Sequence, residues 1–229
     1  MATVLITGAN RGIGLELVRT FTAAGWTVLA CCRNPKEAVQ LTDLALKHST
    51  LEIHPLDVSD EASVSHLATE LTDRTIDLLV NNAGIMGGDR QGAMDIDFGA
   101  WEETFRINTM APLRMVQALL PHLHRSAAPK IATLSSQMGS LNRESAGAYA
   151  YRSSKAAVNK VMQTLACEMA MDGFVITLFH PGWVQTDMGG PQADITAVES
   201  ASGLFKKMST LTAEDNGLFY KWNGEEHPW

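Results

Sequence analysis

Tyr151 and Lys155, in the string Tyr151-Arg152-Ser153-Ser154-Lys155, put a phenol and an ammonium one helical turn apart on a single face. A free phenol releases its proton near pH 10, roughly three units above neutrality, which is poor for proton transfer. A neighbouring ammonium stabilises the phenolate, and each unit of depression is worth about 1.4 kcal/mol. The pair therefore suits general acid catalysis. A tyrosine packed at a helix start, with a surface lysine one turn later, gives the same spacing. A second feature has to decide.

That feature lies at the N-terminus. A short apolar run feeds Thr7-Gly8-Ala9-Asn10-Arg11-Gly12-Ile13-Gly14, and a helical pattern follows at once in Leu15, Leu17, Val18 and Phe21. Glycines let the backbone turn tightly against a ligand, and the new helix offers unpaired N–H groups to a phosphate. The spacing is Gly-x-x-x-Gly-x-Gly, so the common dinucleotide fingerprint is not matched literally. At the end of the second apolar run, where an NAD site usually carries a carboxylate, stand Cys32 and Arg33. A carboxylate repels a 2′-phosphate, whereas a guanidinium can bind it with two parallel hydrogen bonds. Arg11 adds a second positive charge. Solvated surface arginines would look the same, but with no acid present NADP(H) is the expected cofactor.

These residues need a scaffold, and the patterning supplies one. Apolar or β-branched runs at Thr3–Thr7, Thr27–Cys32, Leu51–His54, Ile76–Val80, Lys130–Leu134, Phe174–Phe179 and Leu218–Trp222 read as strands. Several are apolar throughout, as strands buried on both faces must be. Amphipathic segments at about 12–24, 35–47, 60–72, 100–125, 149–171 and 196–208 read as helices, with starts marked by Asn34-Pro35 and Ser59-Asp60-Glu61. The alternation predicts a single-domain α/β fold over 1–229, a Rossmann-like doubly wound parallel sheet of about seven strands with helices on both faces. Residues 84–99, with five glycines, read as a long loop.

Composition excludes other classes. The chain has 229 residues, 45% of them hydrophobic, and a net charge of 18 − 25 = −7. Nucleic acid and anionic membranes are poor partners for such a surface. There is no apolar run of membrane-spanning length and no signal-peptide pattern. The three cysteines, Cys31, Cys32 and Cys167, have no framework spacing, which fits a reducing cytoplasm. His122 and His124 sit two apart and point to different faces of a helix, so no metal is expected.

The motifs together resemble the classical short-chain dehydrogenase/reductase family over nearly the whole chain. Besides Thr7–Gly14 and Tyr151–Lys155, the likeness rests on Asp57-Val58, Asn81-Asn82-Ala83-Gly84, Asn108, Ser135-Ser136 and Pro181-Gly182 in order. The strings Tyr149–Ala157 and Pro181–Gly190, and Pro228-Trp229 after Asn223-Gly224, are similar to the C-factor-like and sniffer-like carbonyl reductases.

The resemblance implies a function: an NADPH-dependent reductase of small aldehydes or ketones, acting as a homodimer or homotetramer. Tyr151 would protonate the carbonyl oxygen, and Lys155 would lower its pKa and hold the nicotinamide ribose. Ser136 would hydrogen-bond the substrate oxygen, and Asn108, at a helix irregularity, would order a water in a proton relay. Gly8, Asn10, Arg11, Gly12, Ile13, Gly14 and Arg33 would hold the phosphates. Asp57 and Val58 would flank the adenine. Asn81, Ala83 and Gly84 would line the path across the sheet. Val184 and Thr186, after the Pro181-Gly182 turn, would bind the carboxamide.

Ser136 precedes Tyr151 by fifteen residues, two more than is commonest in the family. Ser-x-x-Gly, ending at Gly139, favours Ser136, although Ser135 can end a buried strand with a structural hydroxyl. A small lid is expected near 186–208, and Met86, Met138, Trp183 and Met188 are candidates for an apolar substrate wall. A nucleotide-binding signalling protein with incidental turnover, or alcohol oxidation in the cell, are the alternative functions.

Overall fold

A computed structural model describes residues 1–229. The strands are β1 (Thr3–Thr7), β2 (Thr27–Cys32), β3 (Leu51–Pro55), β4 (Leu78–Asn81), β5 (Lys130–Leu134), β6 (Val175–His180), β7 (Val184–Gln185), β8 (Ile195–Thr196) and β9 (Phe219–Lys221). Seven of them form one sheet in the order β3-β2-β1-β4-β5-β6-β9, parallel throughout. The helices are α1 (Gly12–Ala23), α2 (Val39–Ala45), α3 (Glu61–Glu70), α4 (Phe98–Phe105), α5 (Ala111–Leu123), α6 (Tyr149–Glu168) and α7 (Ala197–Ser209).

The apolar runs are explained by burial on both faces. Val4 and Ile6 of β1 join a core with α1, α2 and α7, while Leu5 between them joins the core beneath α3, α5 and α6. Cys32 and Cys31 divide in the same way, so the adjacent thiols face opposite layers. Burial pushes the Cys31 thiol up, which keeps it protonated and inert.

Four elements depart from their expected form. The 35–47 helix splits into a 3₁₀ turn, Pro35–Glu37, and α2, because Ala38 leaves the helical region at ψ 59. The 100–125 helix is α4 and α5 joined by a π turn, Arg106–Met110. The last residues of the 149–171 stretch form a 3₁₀ turn, Ala170–Asp172, ahead of the left-handed Gly173. In the 186–208 segment, β8 pairs with β7 beside the cleft, but α7 buries Ala201, Leu204 and Met208 in the core it shares with α1.

Candidate active site

Strand order reverses direction between β1 and β4, and a doubly wound sheet opens a crevice at the C-terminal ends of its strands there. A cleft of about 950 Å³ occupies it. Gly8 at φ 65 turns the chain out of β1. Gly14 lets α1 start against that turn, because a Cβ on it would lie 2.2 Å from Gly8 O. Asn82 ties the turn to β4: its Nδ2 donates to Thr7 O (2.7 Å) and Gly8 O (3.0 Å), and its N–H donates to Thr7 Oγ1 (3.0 Å). Sequence reading quoted Asn82 only as part of a string, and its role depends on a contact some 75 residues away.

The cleft wall carries the glycine turn from Gly8 to Gly14 except Ala9, and then Arg33, Asp57, Val58, Ala83 and Gly84. It also carries Tyr151, Lys155, Pro181 and Thr186. Asn81, Asn108, Ser136, Gly182 and Val184 stand behind it or at its margin. Burial raises the Asp57 carboxyl, but hydrogen bonds from the Ser59 hydroxyl and amide, with the charge of Arg33, outweigh it and hold the pKa below the usual range. Arg33 thus faces the same recess as Asp57 and has no acid paired to it. Arg11 is engaged differently from the expectation: its guanidinium meets the Asp187 carboxylate across the cleft mouth. Both side chains are mostly exposed, and such a pair contributes little, so a phosphate can compete for Arg11. A glycine-rich turn at a helix start, with Arg11 within it and Arg33 just after β2 on the same cleft wall, fits a phosphorylated dinucleotide.

At the far end the Tyr151 side chain is buried. Burial raises its pKa, and a hydrogen bond with Ser136 draws it partly back. Lys155 is buried too, which pulls its amine down to about 8. Its Nζ lies 5.8 Å from the Tyr151 ring centre but donates to Leu134 O at 2.8 Å. The expected lowering of the phenol by Lys155 is therefore absent in this state, since the ammonium is turned toward the end of β5.

The two serines separate cleanly. Ser136 accepts from Met138 N (3.1 Å), and its hydroxyl acts on the Tyr151 phenol, easing the rise that burial causes. Ser135 lines the cleft, but its hydroxyl is spent on Asn159 Oδ1 and Lys155 O. Gly139 lets this 3₁₀ turn touch α6, for a Cβ there would sit 2.6 Å from the Lys155 carbonyl carbon. Asn159 lies one turn beyond Lys155 on the face of Tyr151, a periodic signal that could have revealed it. Asn108 sits inside the π turn. Its Nδ2 donates to Ile85 O (2.9 Å) and Ser154 Oγ (3.0 Å), and its Oδ1 accepts from Ile85 N (2.9 Å). Gly84 brings the strand exit close: a Cβ there would lie 3.2 Å from Asn108 Oδ1 and 3.6 Å from Lys155 Nζ.

Of the candidate apolar wall, Met188 lines the cleft; Met86 and Trp183 are exposed but not among its lining residues, and Trp183 Nε1 donates to Gly189 O at 2.8 Å. Elsewhere His122 Nδ1 meets Arg74 O, and His124 packs edge-on against Phe174.

A parallel doubly wound sheet with a glycine-rich phosphate turn and a buried serine–tyrosine–lysine cluster defines a dinucleotide-dependent oxidoreductase. The family model for short chain dehydrogenases matches residues 2–196, and the chain belongs to that family. C-signal of Myxococcus xanthus is 42% identical over 163 residues, 71% of this chain and 98% of that protein. The 1-hydroxy-2-glutathionyl-2-methyl-3-butene dehydrogenase of Rhodococcus sp. strain AD45 is 35% identical over the full length of both. The NADPH-bound carbonyl reductase from chicken fatty liver superposes with a TM-score of 0.94 at 36% identity, covering 100% of this chain and 99% of its own. The carbonyl reductase Sniffer of D. melanogaster gives 0.93 at 30% identity, with both chains covered completely.

Proposed function

We propose that the protein is an NADPH-dependent reductase of aldehyde or ketone carbonyls, with Tyr151 as general acid. The observation that carries this reading is the buried Tyr151, with Ser136 and Lys155 buried beside it, in the same cleft as the glycine turn. Bound NADPH supplies the hydride. Ser136 and Tyr151 hold the carbonyl oxygen between two hydroxyl donors, which polarises it and prepares it for negative charge. Tyr151 then gives its proton to that oxygen. Lys155 Nζ, freed from Leu134 O, faces the phenol and the ribose hydroxyls and restores the proton from solvent. Asn108 and Ser154, joined to each other and to Ile85, hold the helices in register around this relay.

NADPH is favoured over NADH because Arg33 is free to take the 2′-phosphate and Arg11 is within reach. Supporting this, three of the similar solved structures hold NADPH or NADP. The expected test is loss of NADPH absorbance with a panel of carbonyl compounds; a panel that includes aromatic and aliphatic ketones and gives no turnover would sink the reading. The same reading places the protein in the cytoplasm as a homodimer or homotetramer without metal, nucleic-acid or membrane partners. A monomeric mass by light scattering would overturn the oligomer.

The identity with C-signal favours one second reading, a nucleotide-binding signalling protein with incidental turnover. It requires that a Tyr151→Phe protein still restore the phenotype of a strain lacking the gene. Alcohol oxidation uses the same site run in reverse.

A further inference from the structure

The helix that carries Tyr151 is poorly started by its own sequence. Its N-cap position is Ala148, which has no side-chain oxygen and takes φ 51, the sole non-glycine residue with positive φ in the chain. The ladder begins with Arg152 N donating to Ala148 O, so the amides of Tyr149, Ala150 and Tyr151 need acceptors from elsewhere. Gln91 supplies two. Its Oε1 accepts from Tyr151 N at 3.1 Å, and its backbone O accepts from Tyr149 N at 3.4 Å.

The other end of the same amide is also occupied. Gln91 Nε2 donates to Met86 O (2.9 Å) and Gly88 O (3.0 Å). Between those carbonyls Gly87 adopts φ 97 and presses on the helix start, where a Cβ would lie 3.1 Å from the Ala150 methyl and 2.5 Å from Thr104 Oγ1. The loop leaving β4 is thus packed against the first turn of α6, with Gln91 as the polar clip.

We propose that Gln91 is a positioning residue for Tyr151: it replaces the missing cap of α6 and fixes the turn bearing the phenol to the loop that leaves β4. The proposal rests on Tyr151 being the proton donor. Gln91 acts through the helix, without touching substrate or cofactor.

Gln91→Ala and Gln91→Glu test it. The glutamate keeps an acceptor for Tyr151 N but has no hydrogens for the two loop carbonyls. Amide hydrogen exchange is measured over residues 149–155 alongside carbonyl reduction. In Gln91→Ala, loss of the side-chain cap speeds exchange of the Tyr151 amide about fivefold. Its kcat falls about tenfold, because a phenol displaced by a fraction of an ångström transfers its proton poorly, while the NADPH Kd stays within about twofold. Gln91→Glu retains protection at Tyr151 and a kcat within about threefold of the unmodified enzyme.

Unchanged exchange in Gln91→Ala overturns the clip, and faster exchange with unchanged kcat reduces it to a structural cap. If the unmodified protein reduces no carbonyl compound, the reductase reading has failed and the phenol itself decides. Measured by absorbance against Tyr151→Phe, its titration in Gln91→Ala moves about half a pH unit lower as the loosened turn admits water. An unmoved midpoint overturns the proposal.

Discussion

Tyr151 and Lys155 occupy one buried pocket, and burial acts on them in opposite senses: it disfavours the phenolate and it disfavours the ammonium. Tyr151 therefore stays protonated through the neutral range, ready to donate, while Lys155 loses its charge near pH 8. Carbonyl reduction should decline as pH rises through about 8, the value at which the relay amine empties. A rate that holds level to pH 10 contradicts that assignment. In the proposed function Arg33 sets the preference for NADPH. Because it is exposed, we expect Arg33→Ala to weaken NADPH by about tenfold and to leave NADH nearly unchanged. Fluorescence titration with both nucleotides reads this directly, and an equal loss for the two would remove Arg33 from 2′-phosphate recognition.

The residues work because particular elements bring them together. At the phosphate end, α1 can begin only where Gly14 backs onto Gly8 O, so Gly14→Ala should abolish dinucleotide binding and lower Tm by several degrees. A Gly14→Ala protein with normal NADPH affinity would show that the turn is not the phosphate site. The sheet was legible from sequence because β1, β2 and β6 are buried on both faces, and uninterrupted apolar runs such as Val28–Cys32 leave no other placement. The glycine turn and the Tyr151–Lys155 pair were legible because their spacing is local. The π turn at Arg106–Met110 was not legible in the periodicity, since one extra residue in a helix leaves the apolar period almost unaltered; only the family resemblance, with its helix irregularity at Asn108, pointed to it. Asn82 and Gln91 were hidden for a different reason: each satisfies backbone groups that are distant in sequence, at Gly8 and Tyr151, and no pattern in a single strand of text records that.

The molecule is a seven-stranded sheet between two apolar layers, with the β7–β8 pair set beside a polar seam along the C-terminal strand ends. Its net charge of −7 is the background for Arg11 and Arg33, which gather positive charge where one phosphate would rest. The seam extends past the site to His180, at the end of β6. Its imidazole is buried, packs edge-on to His227, and is held at about 3 by burial, then by His227, Arg143 and Lys221. In the unfolded chain the same group takes up a proton near 6.5. The unfolded state thus binds more protons between these values, and stability, complete above about pH 6.5, is lost as pH falls toward 3. Tm should fall on acidification below 6.5, less steeply in His180→Asn than in the unmodified protein; parallel slopes would remove His180 from the acid response.

The central claim is that Tyr151 gives the proton and that nucleotide binding does not depend on its hydroxyl. Steady-state NADPH oxidation with a carbonyl substrate found by panel, paired with NADPH binding by fluorescence, tests it in one variant. Tyr151→Phe should bind NADPH within about twofold of the unmodified protein and lose about a hundredfold or more in kcat. A variant that binds normally and turns over at near-normal rate would contradict it.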